Sequence, residues 1–167
     1  MPSYDEIYAH LERHVDDLKT NKTGDERQTD AEVFDKQTLL VIYDFMTAGY
    51  VDSVHYTIST GKEGNVFYVT DEDDQPFALK IFRTSTSTFK RVSKYIEGDP
   101  RFKGLCGNRR KLIYAWTNKE FKNLQRYHVN GIRVPEPIGF EKNCLLMEYI
   151  GDKNGPAPQL KDAELKR

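Results

Sequence analysis

Cysteine is nearly absent from this sequence: Cys106 and Cys144 are the only two among 167 residues, and no histidine or further cysteine clusters around either. A disulfide scaffold is thereby excluded and a structural zinc site disfavoured. Both thiols read as ordinary, in a reduced, cytoplasmic compartment. No apolar run approaches the roughly 18 residues a membrane span requires. The opening Met1-Pro2-Ser3-Tyr4-Asp5-Glu6 lacks the basic-then-apolar layout of a secretory signal, so a protein without membrane partners is expected. Charge of one sign is missing too. The 25 basic and 26 acidic residues leave a formal net charge of -1, which excludes the global basic field of a dedicated nucleic-acid binder and confines any RNA contact to a local patch. There is no internal repeat, and no G-K-[ST] opens a helix, which excludes a Walker-type phosphate loop. What the length allows is one compact core.

Along the chain, Ile7, Leu11, Val15 and Leu18 recur at helical spacing between Tyr4 and Leu18, and the stretch from Lys19 to Asp30 is polar and turn-like. Residues 1–33 therefore read as a helical and polar extension. Asp35 is placed to cap a second helix whose apolar face is Leu39, Leu40, Ile42, Tyr43 and Met46, with Gly49 as its left-handed stop. From Val51 the period becomes two. Val54, Tyr56 and Ile58 alternate into a glycine turn, Val66, Tyr68 and Thr70 continue beyond it, and the polar run Asp71 to Pro76 connects to a third strand, Phe77 to Phe82.

The Ser-, Thr- and Gly-rich stretch from Thr84 to Asn108 predicts a mobile insertion with one short helix from Thr88 to Tyr95, capped by Thr88. Phe89, Val92, Tyr95 and Ile96 are the residues spaced to dock it. Lys111 to His128 is the strongest helix, with Ile113, Trp116, Leu124 and Tyr127 on one stripe. Two short strands follow, Ile138 to Glu141 and Cys144 to Met147, joined at Lys142-Asn143. The expected fold class is α+β: a five-stranded antiparallel sheet with one principal helix plus extra N-terminal helices, its core at 34–150 and a further segment at 151–167.

Three features carry chemistry. Glu120 falls on the apolar stripe of its helix, so its carboxylate points at the core and needs a cation on the facing sheet; Lys80, flanked by apolar strand residues, is the one that fits. Upstream, Ile58-Ser59-Thr60-Gly61-Lys62-Glu63-Gly64-Asn65-Val66 keeps two of the three glycines of a G-x-G-x-x-G-x-V loop, with Ser59 where the first would stand. Hairpin glycines commonly serve only to supply positive φ. Here, however, the turn precedes the lysine strand, so its N–H groups are placed to cover triphosphate oxygens while Lys80 adds a point charge.

Ser59-Thr60-Gly61-Lys62-Glu63-Gly64-Asn65-Val66 resembles the S-T-G-K-E-A-N-V signature of the RIO atypical serine/threonine kinases, with Gly64 in place of the usual alanine. The resemblance runs on through Ala78-Leu79-Lys80-Ile81, Trp116 to Leu124, Val134-Pro135-Glu136-Pro137, Leu145 to Gly151 and Pro156-Ala157-Pro158, and is closest to the first RIO branch. It implies a protein-kinase-like N-terminal lobe that binds ATP with Mg2+ or Mn2+. Met147 would be the gatekeeper, and Glu148 and Ile150 the hinge residues that meet adenine. The pre-ribosomal small subunit is the implied partner.

His14-Val15-Asp16-Asp17-Leu18-Lys19-Thr20-Asn21 spells the kinase pattern H-x-D-x-x-x-x-N, but it precedes the glycine turn and is discounted, because a catalytic loop must follow the hinge. After the hinge only Asp152 to Arg167 remain, without H-x-D. The expectation is an ATP-binding lobe whose C-terminal lobe, catalytic aspartate and metal ligands would come after Arg167. The rival class is a non-catalytic nucleotide-binding or ribosome-binding module. Thr84-Ser85-Thr86-Ser87-Thr88 reads either as phosphorylation sites or as a polar loop, and Arg101, Lys103, Arg109, Arg110 and Lys111 form a basic cluster that is either a phosphate or RNA contact or a solvated face.

Overall fold

The computed structural model describes residues 33–105 and 107–159, together with Asp5, Ala9 and Asp162. Apart from Asp5 and Ala9, which are helical, the expected helix from Tyr4 to Leu18 lies outside the described residues, as do the His14 motif and Cys106.

Helix α1 (Lys36–Thr47) starts where Asp35 Oδ1 accepts hydrogen bonds from Thr38 N and Thr38 Oγ1, both at 2.9 Å, and stops before Gly49, whose φ is 77°. Its buried apolar side chains are Leu39, Val41, Ile42 and Phe45; Leu40, expected on that face, sits at its edge. Five strands follow the period-two pattern: β1 (Ser53–Thr60), β2 (Gly64–Thr70), β3 (Pro76–Phe82), β4 (Pro137–Glu141) and β5 (Cys144–Glu148). They form one antiparallel sheet in the order β1-β2-β3-β5-β4. A small hairpin, β6 (Gly151–Asp152) and β7 (Gly155–Pro156), comes after it.

The register shifts in β4, between Pro137 and Gly139, and twice in β1. Against β2, β1 shifts between Val54 and Tyr56 and again between Thr57 and Ser59, so His55 and Tyr56, adjacent in sequence, are both exposed.

One face of the sheet, through Phe67, Val69, Leu79, Ile81 and Leu146, packs under α1. Asn143, buried in the β4–β5 turn, ties that layer together: its Nδ2 donates to Thr38 Oγ1 (2.9 Å) and to the Phe82 carbonyl (3.0 Å). The other face is covered at one end by helices α2 (Thr86–Ile96) and α3 (Arg109–Val129), and Phe82, Val92, Ile96, Phe102, Leu112 and Ile113 make a second core there.

That second core draws on the stretch from Thr84 to Asn108, through Val92 and Ile96 and, unforeseen from its composition, Phe102. Helix α2 begins at Thr86, so Thr88 lies inside its first turn and does not cap it. Gly98 and Gly104, with φ of 84° and 85°, turn the chain on either side of a 3-10 turn at Pro100–Phe102, which folds Phe102 back into the core at 5 % exposure. Val92 and Ile96 are buried as their spacing suggests, whereas Tyr95 is exposed. Asn108 Oδ1 then caps α3 by accepting from Lys111 N at 3.0 Å. Helix α3 also outruns the sheet. The apolar stripe therefore ends near Leu124, leaving Tyr127 and Val129 exposed.

Candidate functional site

Directly paired residues of an antiparallel sheet share a face, and so do residues two apart on one strand. Val66 pairs with Lys80 and Tyr68 with Ala78, while across the other edge of β3 Lys80 pairs with Leu145 and Ala78 with Met147. Val66, Tyr68, Ala78, Lys80, Leu145 and Met147 therefore line one face, the one α1 does not cover. Helix α3 crosses the same face and presents Glu120, whose Oε1 stands 2.7 Å from Lys80 Nζ. The pair is only partly solvated, with the two side chains 24 % and 29 % exposed, and Lys80 Nζ also lies 4.6 Å from the centre of the Phe82 ring. A carboxylate on the apolar stripe of a helix thus meets its cation on the sheet.

Gly61, Lys62 and Glu63 form the tip of the glycine turn, closed by Gly61 N–H donating to the Gly64 carbonyl (2.9 Å) and anchored to β3 by Arg83 N–H donating to the Glu63 carbonyl (2.8 Å). Neither Gly61 nor Gly64 lies in the left-handed region, so positive φ is not what these positions require. Close approach is. A Cβ at Gly64 would overlap the backbone carbonyl of Ile81, and one at Gly61 would stand 3.1 Å from the Gly64 oxygen.

Ser59 and Thr60 end β1 beside the turn. Asn65 departs from the rest: it pairs with Ile81, is fully buried on the α1 face, and accepts from Arg83 Nη2 at 3.1 Å, so its side chain does not reach the Lys80 face.

At the far end of β5, Met147 is half-buried beside Ala78, and Glu148, Tyr149 and Ile150 lead out of the sheet. The Ile150 carbonyl accepts Ala157 N–H (2.9 Å), and its own N–H has no partner among the described residues. Three features here were not foreseen. Arg133, in the connection from α3 to β4, holds the Glu148 carboxylate with two hydrogen bonds of 2.8 Å, and Glu136 N–H adds a third at 3.1 Å. Tyr56 stacks on Tyr68 at 5.0 Å, and Tyr149 meets Tyr68 edge-on at 4.8 Å, an aromatic wall on the Lys80 face. Burial, and then the neighbouring Tyr56, pushes the Tyr149 phenol up to about 12. The period-two step from Val66 to Tyr68 could have placed that ring; nothing local marks Arg133.

Arg133, first by its hydrogen bonds, holds the Glu148 carboxyl below its ordinary value. A depressed carboxylate contributes stability that is complete above its unfolded pKa, near 4.3 for a glutamate, and fades as pH falls through the lower folded value. Urea unfolding of Arg133→Gln is therefore expected to show a deficit against the parent chain at pH 6 that shrinks toward pH 3. A deficit independent of pH would assign the loss to packing instead.

Among the described residues no group of three His, Cys, Asp or Glu side chains is placed to hold a metal, and no helix is long and apolar enough to cross a membrane. Cys144 is fully buried and burial pushes its thiol up, as befits an inert core residue.

Comparison with known proteins places these features in a wider set. The RIO domain family matches residues 65–167. The chain is 36 % identical over 163 residues to the RIO-type serine/threonine-protein kinase Rio1 of Haloferax volcanii, covering 97 % of this chain and 56 % of that protein. It is 37 % identical over 151 residues to the serine/threonine-protein kinase RIO1 of Homo sapiens, covering 89 % of this chain and 27 % of that one. Among solved structures, the Rio2 kinase of Chaetomium thermophilum in its ADP/Mg2+-phosphoaspartate complex superposes with a TM-score of 0.52 at 27 % identity, over 67 % of this chain and 32 % of that one. The chain thus spans about half the length of the archaeal relative and about a quarter of the human one.

Proposed function

Because the chain belongs to the RIO family of serine/threonine protein kinases, we propose that its uncovered sheet face is the ATP-binding lobe of such a kinase. The observation that carries this reading is the Lys80–Glu120 pair at 2.7 Å, set on the same face as Val66, Ala78 and Met147 and next to a glycine turn. Lys80 is placed to donate to phosphate oxygens, and Glu120, accepting from Lys80 Nζ, fixes that ammonium in position. Backbone N–H groups of the turn from Ser59 to Gly64 cover the phosphates from above, and Glu63 and Lys62 form its tip. Val66 and Ala78 supply the apolar roof over adenine, Met147 its inner wall, and the backbones of Glu148 and Ile150 its hydrogen bonds. Mg2+ or Mn2+ would neutralise phosphate charge, with ligands drawn from outside these 167 residues.

The role that follows is ATP-dependent phosphoryl transfer or ATP hydrolysis in maturation of the small ribosomal subunit, in the cytoplasm. In-line transfer needs a base and metal ligands beyond the lysine–glutamate pair, and no H-x-D follows Ile150 in this sequence. The 167-residue chain alone is accordingly expected to bind Mg·ATP and to transfer no phosphate to itself or to a generic protein substrate. Incubation with radiolabelled ATP beside a Lys80→Met control decides it: label on the parent chain above the control would overturn the assignment of catalysis to residues outside this chain. Absence of any ATP binding would overturn the nucleotide site.

A further inference from the structure

Past Glu148 the chain leaves the sheet, and the backbone of Tyr149 and Ile150 makes one hydrogen bond among the described residues, from Ala157 N–H to the Ile150 carbonyl at 2.9 Å. That bond leads away from the sheet. The tie back to it is the Tyr149 ring, which meets Tyr68 of β2 edge-on at 4.8 Å, the planes at 85°. The Tyr149 hydroxyl is buried without a hydrogen bond among the described residues, so packing holds the ring. On its other flank the ring lies over Gly151, where a Cβ would stand 2.6 Å from both Cζ and Oη of Tyr149. Tyr68 is braced in turn. Tyr56 stacks on it at 5.0 Å with the planes 6° apart, and His55 leans on it at 5.4 Å. The first register shift in β1 makes this brace: with Val54 opposite Val69, a regular ladder would set His55 opposite Tyr68 and turn Tyr56 to the α1 face, whereas the extra residue brings Tyr56 opposite Tyr68.

We propose that Tyr68 is a positioning residue for the base of the nucleotide: braced by Tyr56, it holds the Tyr149 ring and so fixes the hinge, with the unpaired N–H of Ile150, against the sheet. This rests on the nucleotide reading given above and adds to it the residue that sets base affinity. Tyr68 pairs with Ala78 and Ala78 with Met147, one row of the sheet; Val66, Lys80 and Leu145 make the next row, toward the glycine turn. Base and phosphates therefore draw on different rows. Lys80 has its own anchor in Glu120, so the phosphate contacts do not depend on the tyrosines. Backbone that must be ordered on binding opposes affinity, and a hinge ordered in advance removes that opposition.

The test compares Mg·ATP with inorganic tripolyphosphate and Mg2+, each titrated into the full chain as parent, Tyr68→Ala and Tyr68→Phe. Tyr68→Ala should weaken Mg·ATP binding about tenfold, the equivalent of ordering one backbone residue, and leave tripolyphosphate binding unchanged. Tyr68→Phe keeps the ring and should restore the affinity for Mg·ATP. In the free chain the Ala157 amide, whose acceptor is the Ile150 carbonyl, should exchange faster in Tyr68→Ala and at the parent rate in Tyr68→Phe. Tyr149→Leu, outside the sheet, should give the same split between the two ligands and serves if Tyr68→Ala does not fold. Equal loss of both ligands would make Tyr68 a support of the fold alone, and unchanged Ala157 exchange would make it a direct wall of the site; either overturns the positioning role. Absence of Mg·ATP binding by the parent chain would overturn the nucleotide site on which the proposal rests, whereas a parent that binds and a Tyr68→Ala variant that binds equally well would overturn this proposal alone.

Discussion

Lys80→Met is expected to lower affinity for Mg·ATP by about ten- to a hundredfold, because a hydrogen bond to a charged group contributes roughly 1.5–3 kcal/mol and each 1.4 kcal/mol is tenfold. The fold should survive, since methionine keeps most of the apolar stem, but Glu120, only 29 % exposed, is left without its partner, so stability should fall by about 1–3 kcal/mol. Removing that partner in turn, as Glu120→Ala, should destabilise the chain by about 1–3 kcal/mol, between the values for exposed and for fully buried pairs. Titration calorimetry of the two variants separates the roles. Lys80→Met removes the phosphate donor together with the pair, whereas Glu120→Ala keeps the donor and loses only its anchor. If both variants bind Mg·ATP as the parent does, the pair is a structural bridge and not a phosphate site.

Phe102→Ala is expected to destabilise the chain by about 3–5 kcal/mol, the usual range for truncating a buried aromatic side chain. Phe102 is 5 % exposed among Phe82, Val92, Ile96, Leu112 and Ile113, so its loss opens a cavity between α2, α3 and the end of β3. Lys119, whose ammonium lies 5.3 Å from the Phe102 ring centre, would lose that contact as well. The midpoint of urea unfolding measures the loss. A change below about 1 kcal/mol, at the level of an exposed site, would favour the reading of residues 84–108 as a loose insertion.

The unforeseen burial of Phe102 shows where local sequence stops informing. Composition counts the hydroxyls and glycines of residues 84–108 and misses that Gly98 and Gly104 are hinges delivering one aromatic residue to a core assembled from β3 and α3. Phe102 has no helical or strand period to betray it, because its burial is decided by elements distant in sequence. The strands and the Lys80–Glu120 pair were legible for the opposite reason. Alternation fixes which strand residues share a face, and a carboxylate on an apolar stripe demands a cation.

At the turn, the sequence pointed to Gly61 and Gly64 but not to their reason, since neither adopts positive φ and Gly64 instead lets β2 lie against the Ile81 carbonyl. Asn65, included with the turn on sequence order, points to the other face because it stands one residue from Val66 in a strand. Arg133 was invisible: its hold on Glu148 joins residues 15 apart through a connection whose course only the folded chain reveals.

The most direct test of the nucleotide site is a titration of the isotopically labelled chain with Mg·ATP, followed residue by residue through its backbone amides. The largest shifts should fall on Gly61 to Val66, on Lys80 and on Ile150, with saturation at one ATP per chain and with little change on the α1 face at Phe67, Val69 or Leu146. Shifts confined to the outer face of α3, or none at saturating nucleotide, would contradict the assignment.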